Sequence, residues 1–77
     1  MAPTETVGEQ RVRINFNPAT SERGGDVADK VREIKQKSAE LIDLCEALKP
    51  KDPRLASLAQ TSYEEAAMWA VKAATAA

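Results

Sequence analysis

Between Leu48 and Arg54 the chain reads KPKDP, and this interruption constrains the fold more than any other feature. Pro50 lacks a backbone donor and biases Lys49 away from helical geometry, so a helix running up to it has to stop. Asp52 followed by Pro53 is a cap and first helical position, so a second helix starts almost at once. Two helices joined by so short a connection fold back on each other, antiparallel.

Both flanks are periodic. In DVADKVREIKQKSAELIDLCEALK, Asp26 offers a cap, and Val27, Val31, Ile34, Ser38, Leu41, Cys45 and Leu48 recur at alternating intervals of four and three. That is the heptad seam of a helix laid against another helix, widened near its end by Ile42 and Leu44. The second helix is expected from about Pro53 to Thr75, with Leu55, Leu58, Ser62, Ala66, Trp69 and Ala73 facing inward. Beyond Glu65 only Lys72 carries a charge, and Ala67, Met68, Ala70, Val71 and Ala74 make the other faces apolar too. A helix apolar all round is buried all round. A hairpin offers it a single partner face, so further copies of the chain must cover the rest. The 77 residues form at most one domain with a thin core of its own. The expected fold class is therefore all-α: a hairpin of two long antiparallel helices after a short N-terminal helical turn, assembled into a homo-oligomer.

Residues 1–15 are polar and contain Pro3 and Gly8, which reads as a flexible tail ahead of a helical domain at 16–77. Val12 and Ile14 alternate with Arg11 and Arg13, so a strand-like arm is the alternative there. Asn17-Pro18 is a plausible cap and first position of one helical turn, ended by Gly24-Gly25.

Composition excludes several functions. A net charge of −1 leaves no general basic bias for neutralising duplex nucleic acid. One cysteine and no histidine exclude an internal disulfide and the familiar zinc, triad and Cys–His sets. No metal, cofactor or catalytic residue is expected. No signal pattern or membrane span is visible, and the expected location is the cytoplasm. Glu64 and Glu65 are adjacent on a helix and so diverge, reading as a solvated face. Cys45 and Trp69 read as core residues, while Tyr63 is open between core and surface.

The bases are distributed less blandly. Lys30, Arg32, Lys35 and Lys37 occupy the first half of the first long helix, and Glu40, Asp43 and Glu46 the second. The helix macrodipole favours the opposite order. An anion site would produce this pattern, and so would a solvated charged face. Phe16, upstream in a polar stretch, would suit a stacked base or a hydrophobic anchor.

The run DPRLASLAQTSYEEAAMWAVKA resembles the second-helix signature of the type 2 anti-CBASS family, small phage proteins that sponge up cyclic oligonucleotides used as signals by the bacterial defence CBASS. The matching residues are Arg54, Leu58-Ala59, Thr61, Glu64-Glu65-Ala66, Met68-Trp69-Ala70 and Lys72. Phe16-Asn17-Pro18 and Ile34-Lys35 resemble two shorter upstream elements, so the resemblance extends over roughly residues 16–76. It implies a compact helical homohexamer that binds cyclic nucleotides without cleaving them. By this resemblance Phe16 would stack a base and Lys35 hold phosphate in a dinucleotide pocket. Asn17 and Arg54 would belong to a separate trinucleotide pocket. The chain departs from the family in carrying Phe16 where tyrosine is common, and in a longer linker at Gly24-Gly25. The rival expectation is an oligomeric helical scaffold that binds a partner protein and no nucleotide.

Overall fold

A computed structural model describes residues 4–14 and 25–76. Its elements are three helices, α1 (Val7–Val12), α2 (Gly25–Leu48) and α3 (Pro53–Ala74). Among the described residues all regular structure is helical. The two long helices form the expected hairpin. At its turn, Lys51 and Asp52 both donate their N–H groups to the Leu48 carbonyl at 3.0 Å. Asp52 caps α3 by accepting from the Leu55 N–H at 2.9 Å, with Pro53 in the first helical turn. Asp26, read as a cap, instead lies in the first turn of α2, one residue after its start.

The reading of residues 1–15 as a flexible tail is corrected by α1. Thr6 and Glu9 form a capping box: Thr6 Oγ1 accepts from the Glu9 N–H at 3.1 Å, and Glu9 Oε1 from the Thr6 N–H at 2.9 Å. A six-residue helix is too short to stand alone in water, and docking holds it. The Gly8 N–H donates to Asp43 Oδ1 at 2.7 Å. Gly8 lies directly on Ala39, and a Cβ there would overlap the Ala39 backbone. Val12 joins Ala39, Ile42 and Ala67 in the core, with Ile14 and Ile34 packed against it. The Arg11/Val12/Arg13/Ile14 alternation thus belongs to a helix end and not to a strand.

The heptad seams also need correcting. In α2 Val31 and Cys45 are buried as expected, but Leu41 and Leu48 are exposed, and Lys35, Ala39 and Ile42 lie inside. In α3 every residue of the expected inward stripe is exposed, Trp69 by 62%. Ala56, Gln60 and Ala67 face α2 instead. The physical reason is size: α3 is apolar on two faces, and the face of small residues permits the closer helix approach. The large side chains are left outside. With dimensions of 42 × 32 × 12 Å the chain is a slab about one helix thick. Its radius of gyration of 13.4 Å exceeds the roughly 11–12 Å of a compact domain this long. Such a slab leaves Leu44, Leu48, Leu55, Leu58, Met68 and Trp69 more than half exposed in a single chain.

The close contact at Gly8 gives a direct check. On a free helix Gly→Ala is stabilising by about 1 kcal/mol. Gly8→Ala should instead destabilise by about 1–3 kcal/mol, lowering the melting temperature by ~4–8 °C per kcal/mol. A variant melting at or above the parent would show that α1 does not pack on Ala39.

Candidate ligand pocket

Where α1 ends, the backbone turns back through Arg13, whose φ of 54° and ψ of 61° are left-handed. Arg13 donates its N–H to the Gln10 carbonyl at 3.2 Å, and Ile14 to the Glu9 carbonyl at 3.0 Å, so the carbonyls at the end of α1 are satisfied. The Arg13 carbonyl accepts from Lys35 Nζ at 2.9 Å. Lys35 is one of two buried polar side chains among the described residues, only 7% exposed. Burial, and then the neighbouring Arg13 charge, lower its ammonium pKa below the ordinary lysine value.

This turn closes one side of a cavity of about 200 Å³. Val12 and Arg13 contribute from α1, Lys35 from α2, and Glu64, Ala67, Met68, Val71 and Lys72 from α3. Val12, Ala67, Met68 and Val71 make an apolar lining to which Arg13, Lys35 and Lys72 add positive charge. Glu64 is the one acid among these residues, and its Oε1 accepts from Arg11 Nε at 2.6 Å. The Lys72 ammonium stands 5.8 Å from the centre of the exposed Trp69 ring.

Of the residues singled out by sequence, Lys35 reaches this cavity. Phe16 and Asn17, with the helical turn expected at Asn17-Pro18, lie outside the described residues. Arg54 is exposed in the first turn of α3, at the other end of the hairpin. The part of α2 from Lys35 to Leu48 alone rises ~20 Å, so the two residues serve different places. The rest of the basic cluster does not converge with Lys35. Lys30, Arg32 and Lys37 are exposed, with Arg32 paired to Asp29 at 3.0 Å and Lys37 to Glu33 at 3.0 Å. Glu64 was expected on a solvated face and is tied to α1. The sequence reading missed Arg13 and Lys72 as pocket residues. A period-3.6 count brings Lys72 near Ala67 and Met68, but the left-handed turn at Arg13 has no signature in its own residue type.

Residues 8–75 match the family model described as Acb2/Tad1, hairpin domain. The chain belongs to the Acb2/Tad1 hairpin family. That family includes the anti-CBASS sponges. The Acb2/Tad1 match begins at Gly8, within α1, and ends at Thr75, just past α3. No curated protein and no solved structure matches the chain.

The buried ammonium makes a testable pH signature. Because the folded-state pKa of Lys35 is lowered, the unfolded chain binds more protons than the folded one between that lowered value and the ordinary lysine value. Stability contributed by Lys35 is therefore present above this window and lost as pH falls through it. Urea titrations of the parent and Lys35→Met should show their stability difference moving in the parent's favour as pH rises across the window. A difference independent of pH would mean that Lys35 is solvated.

Proposed function

We propose that this protein binds cyclic oligonucleotides, above all cyclic dinucleotides, and holds them uncleaved, depriving a CBASS defence effector of its signal. The observation that carries the reading is the cavity with an apolar lining and three cations, in a chain of the Acb2/Tad1 hairpin family. An apolar slot takes the face of a base while cations take its phosphate. At about 200 Å³ the cavity is smaller than the ~300–1,000 Å³ that encloses a whole small-molecule ligand. A shared pocket, completed by a second chain, accounts for the difference.

The exposed apolar stripes support such sharing. Leu55, Leu58, Ser62, Ala66, Trp69 and Ala73 keep heptad spacing on the outer face of α3, and Leu41, Leu44 and Leu48 line the outside of α2. A homohexamer covers them with copies of the same chain. Its twofold and threefold axes match the symmetries open to cyclic dinucleotides and trinucleotides. In this reading Phe16 stacks a base and Lys35 lies at the phosphate of the dinucleotide pocket, while Asn17 and Arg54 serve a trinucleotide pocket. The place of action is the cytoplasm of the phage's bacterial host. No helix of the described residues is long and apolar enough to cross a membrane. Sequestration is favoured over hydrolysis because the acid in the cavity, Glu64, is engaged by Arg11 and not set to activate water.

The exposed leucines would equally suit a scaffold that grips a partner protein, and ligand binding separates the two readings. Calorimetry with a panel of cyclic di- and trinucleotides should show saturable binding, and ligand released by heating should keep its original mass. Light scattering after size exclusion should give six copies. Stacking contributes about 1–3 kcal/mol per base and a charge-assisted phosphate contact about 1.5–3 kcal/mol. Acting twice at a twofold pocket, Phe16→Ala and Lys35→Ala should each weaken dinucleotide binding about a hundredfold. A folded protein that binds no cyclic nucleotide would leave the scaffold reading, and linear product would overturn sequestration.

A further inference from the structure

The outer stripe of α3 reads the same from either end. From Leu55 through Leu58, Ser62 and Ala66 to Trp69 the intervals are three, four, four and three, symmetric about Ser62. At about 100° per residue these positions stay within roughly 80° of arc, on one side of the helix. All of them are exposed and none is charged, while Ala56, Gln60 and Ala67 point the other way, toward α2. A face that meets an unrelated protein has no reason to be symmetric about its own middle. A face that meets a second copy does, because a twofold axis sets each residue against the one equally far beyond the axis.

We infer that α3 pairs antiparallel with α3 of a second copy, about a twofold axis at Ser62. This rests on the association within the functional reading and not on the nucleotide. The register puts Leu55 against Trp69 of the second copy, Leu58 against Ala66, and Ser62 against Ser62. The layers grow outward from the axis, which is what crossing helices need: they are closest where they cross and diverge on either side. A parallel pair would set Trp69 on Trp69 next to Ala66 on Ala66, a bulge beside a gap. It would also lay the two macrodipoles side by side in the same direction, where they repel. The indole has room at the level of Leu55, which borders a groove of about 530 Å³ lined also by Cys45, Leu48 and Ala59. On one flank Arg54 meets Glu65 and Lys72 of the second copy, an attraction and a repulsion that leave the apolar seam to decide. Two strips as long as α3, ~33 Å, cover about 1,000–1,300 Å² between them, enough for a specific pair of chains.

Cross-linking tests the register. With Cys45→Ala removing the native thiol, Ser62→Cys should form a disulfide-linked dimer on mild oxidation at micromolar protein. Helix axes 8–10 Å apart leave its two Cα atoms about 4–5 Å from each other, within disulfide range. Leu58→Cys and Ala66→Cys should each stay unlinked, since either residue lies ~12 Å along the helix from its own copy. Refolded together, the two should link to each other. A second test leaves Cys45 in place. Leu58→Ala should weaken association by about tenfold or more, read by light scattering on dilution. Leu58→Ala with Ala66→Leu in one chain restores the pair with its members exchanged, and should return association to within about threefold of the parent. An oligomer in which Ser62→Cys stays unlinked, or Leu58→Cys links to itself, overturns the register and leaves the association standing. A double variant as weak as Leu58→Ala does the same. A parent that is monomeric at micromolar concentration fails the association, and this inference with it.

Discussion

The amide of Gln60 sits where the three helices meet, 1% exposed, and its satisfaction fixes how they meet. Its Nε2 donates to the Ile42 carbonyl at 3.1 Å and to Glu46 Oε1 at 2.9 Å, while its Oε1 accepts from Arg11 Nη1 at 3.4 Å. A buried amide without partners costs about 1–3 kcal/mol, so any other register of α3 on α2, or any other seat for α1, is penalised. The bond from Gln60, followed by that from Lys49, holds the Glu46 carboxyl below the usual glutamate range. Arg11 then reaches on to Glu64 and so brings the end of α1 over α3. Everything at the cavity follows from this seating: Val12 and Arg13 arrive above Lys35 because Gln60 and Glu64 hold Arg11.

The same close seating explains why the molecule is flat. Gly8 on Ala39 and the alanines of α3 against α2 bring helices together with small side chains, which bury little apolar area each. The large residues are on the outside of a layer too thin to have an inside for them. A chain with a core of Val12, Ala39, Ile42 and Ala67 gains little stability from burial by itself. The outer leucines and Trp69 are the larger apolar reserve, and association is what would bring them out of water.

Much of this was legible in the sequence. KPKDP placed the turn, and Asp52-Pro53 the start of α3, because capping is local chemistry that tertiary packing rarely overrides. The periodicity of α3 was legible too, but not which face is the inner one. Period counting assigns the largest residues to the core, and here the small ones form it. The short α1 was missed because six residues have no periodicity to read, although Thr6 and Glu9 have the spacing of a capping box. Lys35 was singled out through the family resemblance, but its burial and its bond to the Arg13 carbonyl depend on α1 and could not be foreseen. Arg13 was hidden for a different reason: a left-handed backbone is written in residue type only when the residue is glycine or asparagine.

A shared pocket requires the outer face of α3 to be covered by other copies of the chain, and Trp69, the sole tryptophan, reports on that face directly. In a single chain its ring is 62% exposed. Tryptophan fluorescence at micromolar protein should therefore show blue-shifted emission shielded from acrylamide, with red-shifted, quencher-accessible emission appearing only on dilution or in denaturant. Red-shifted, freely quenched emission from the folded protein at every concentration would mean that the stripe stays in water, and would contradict the assembly on which the shared pocket depends.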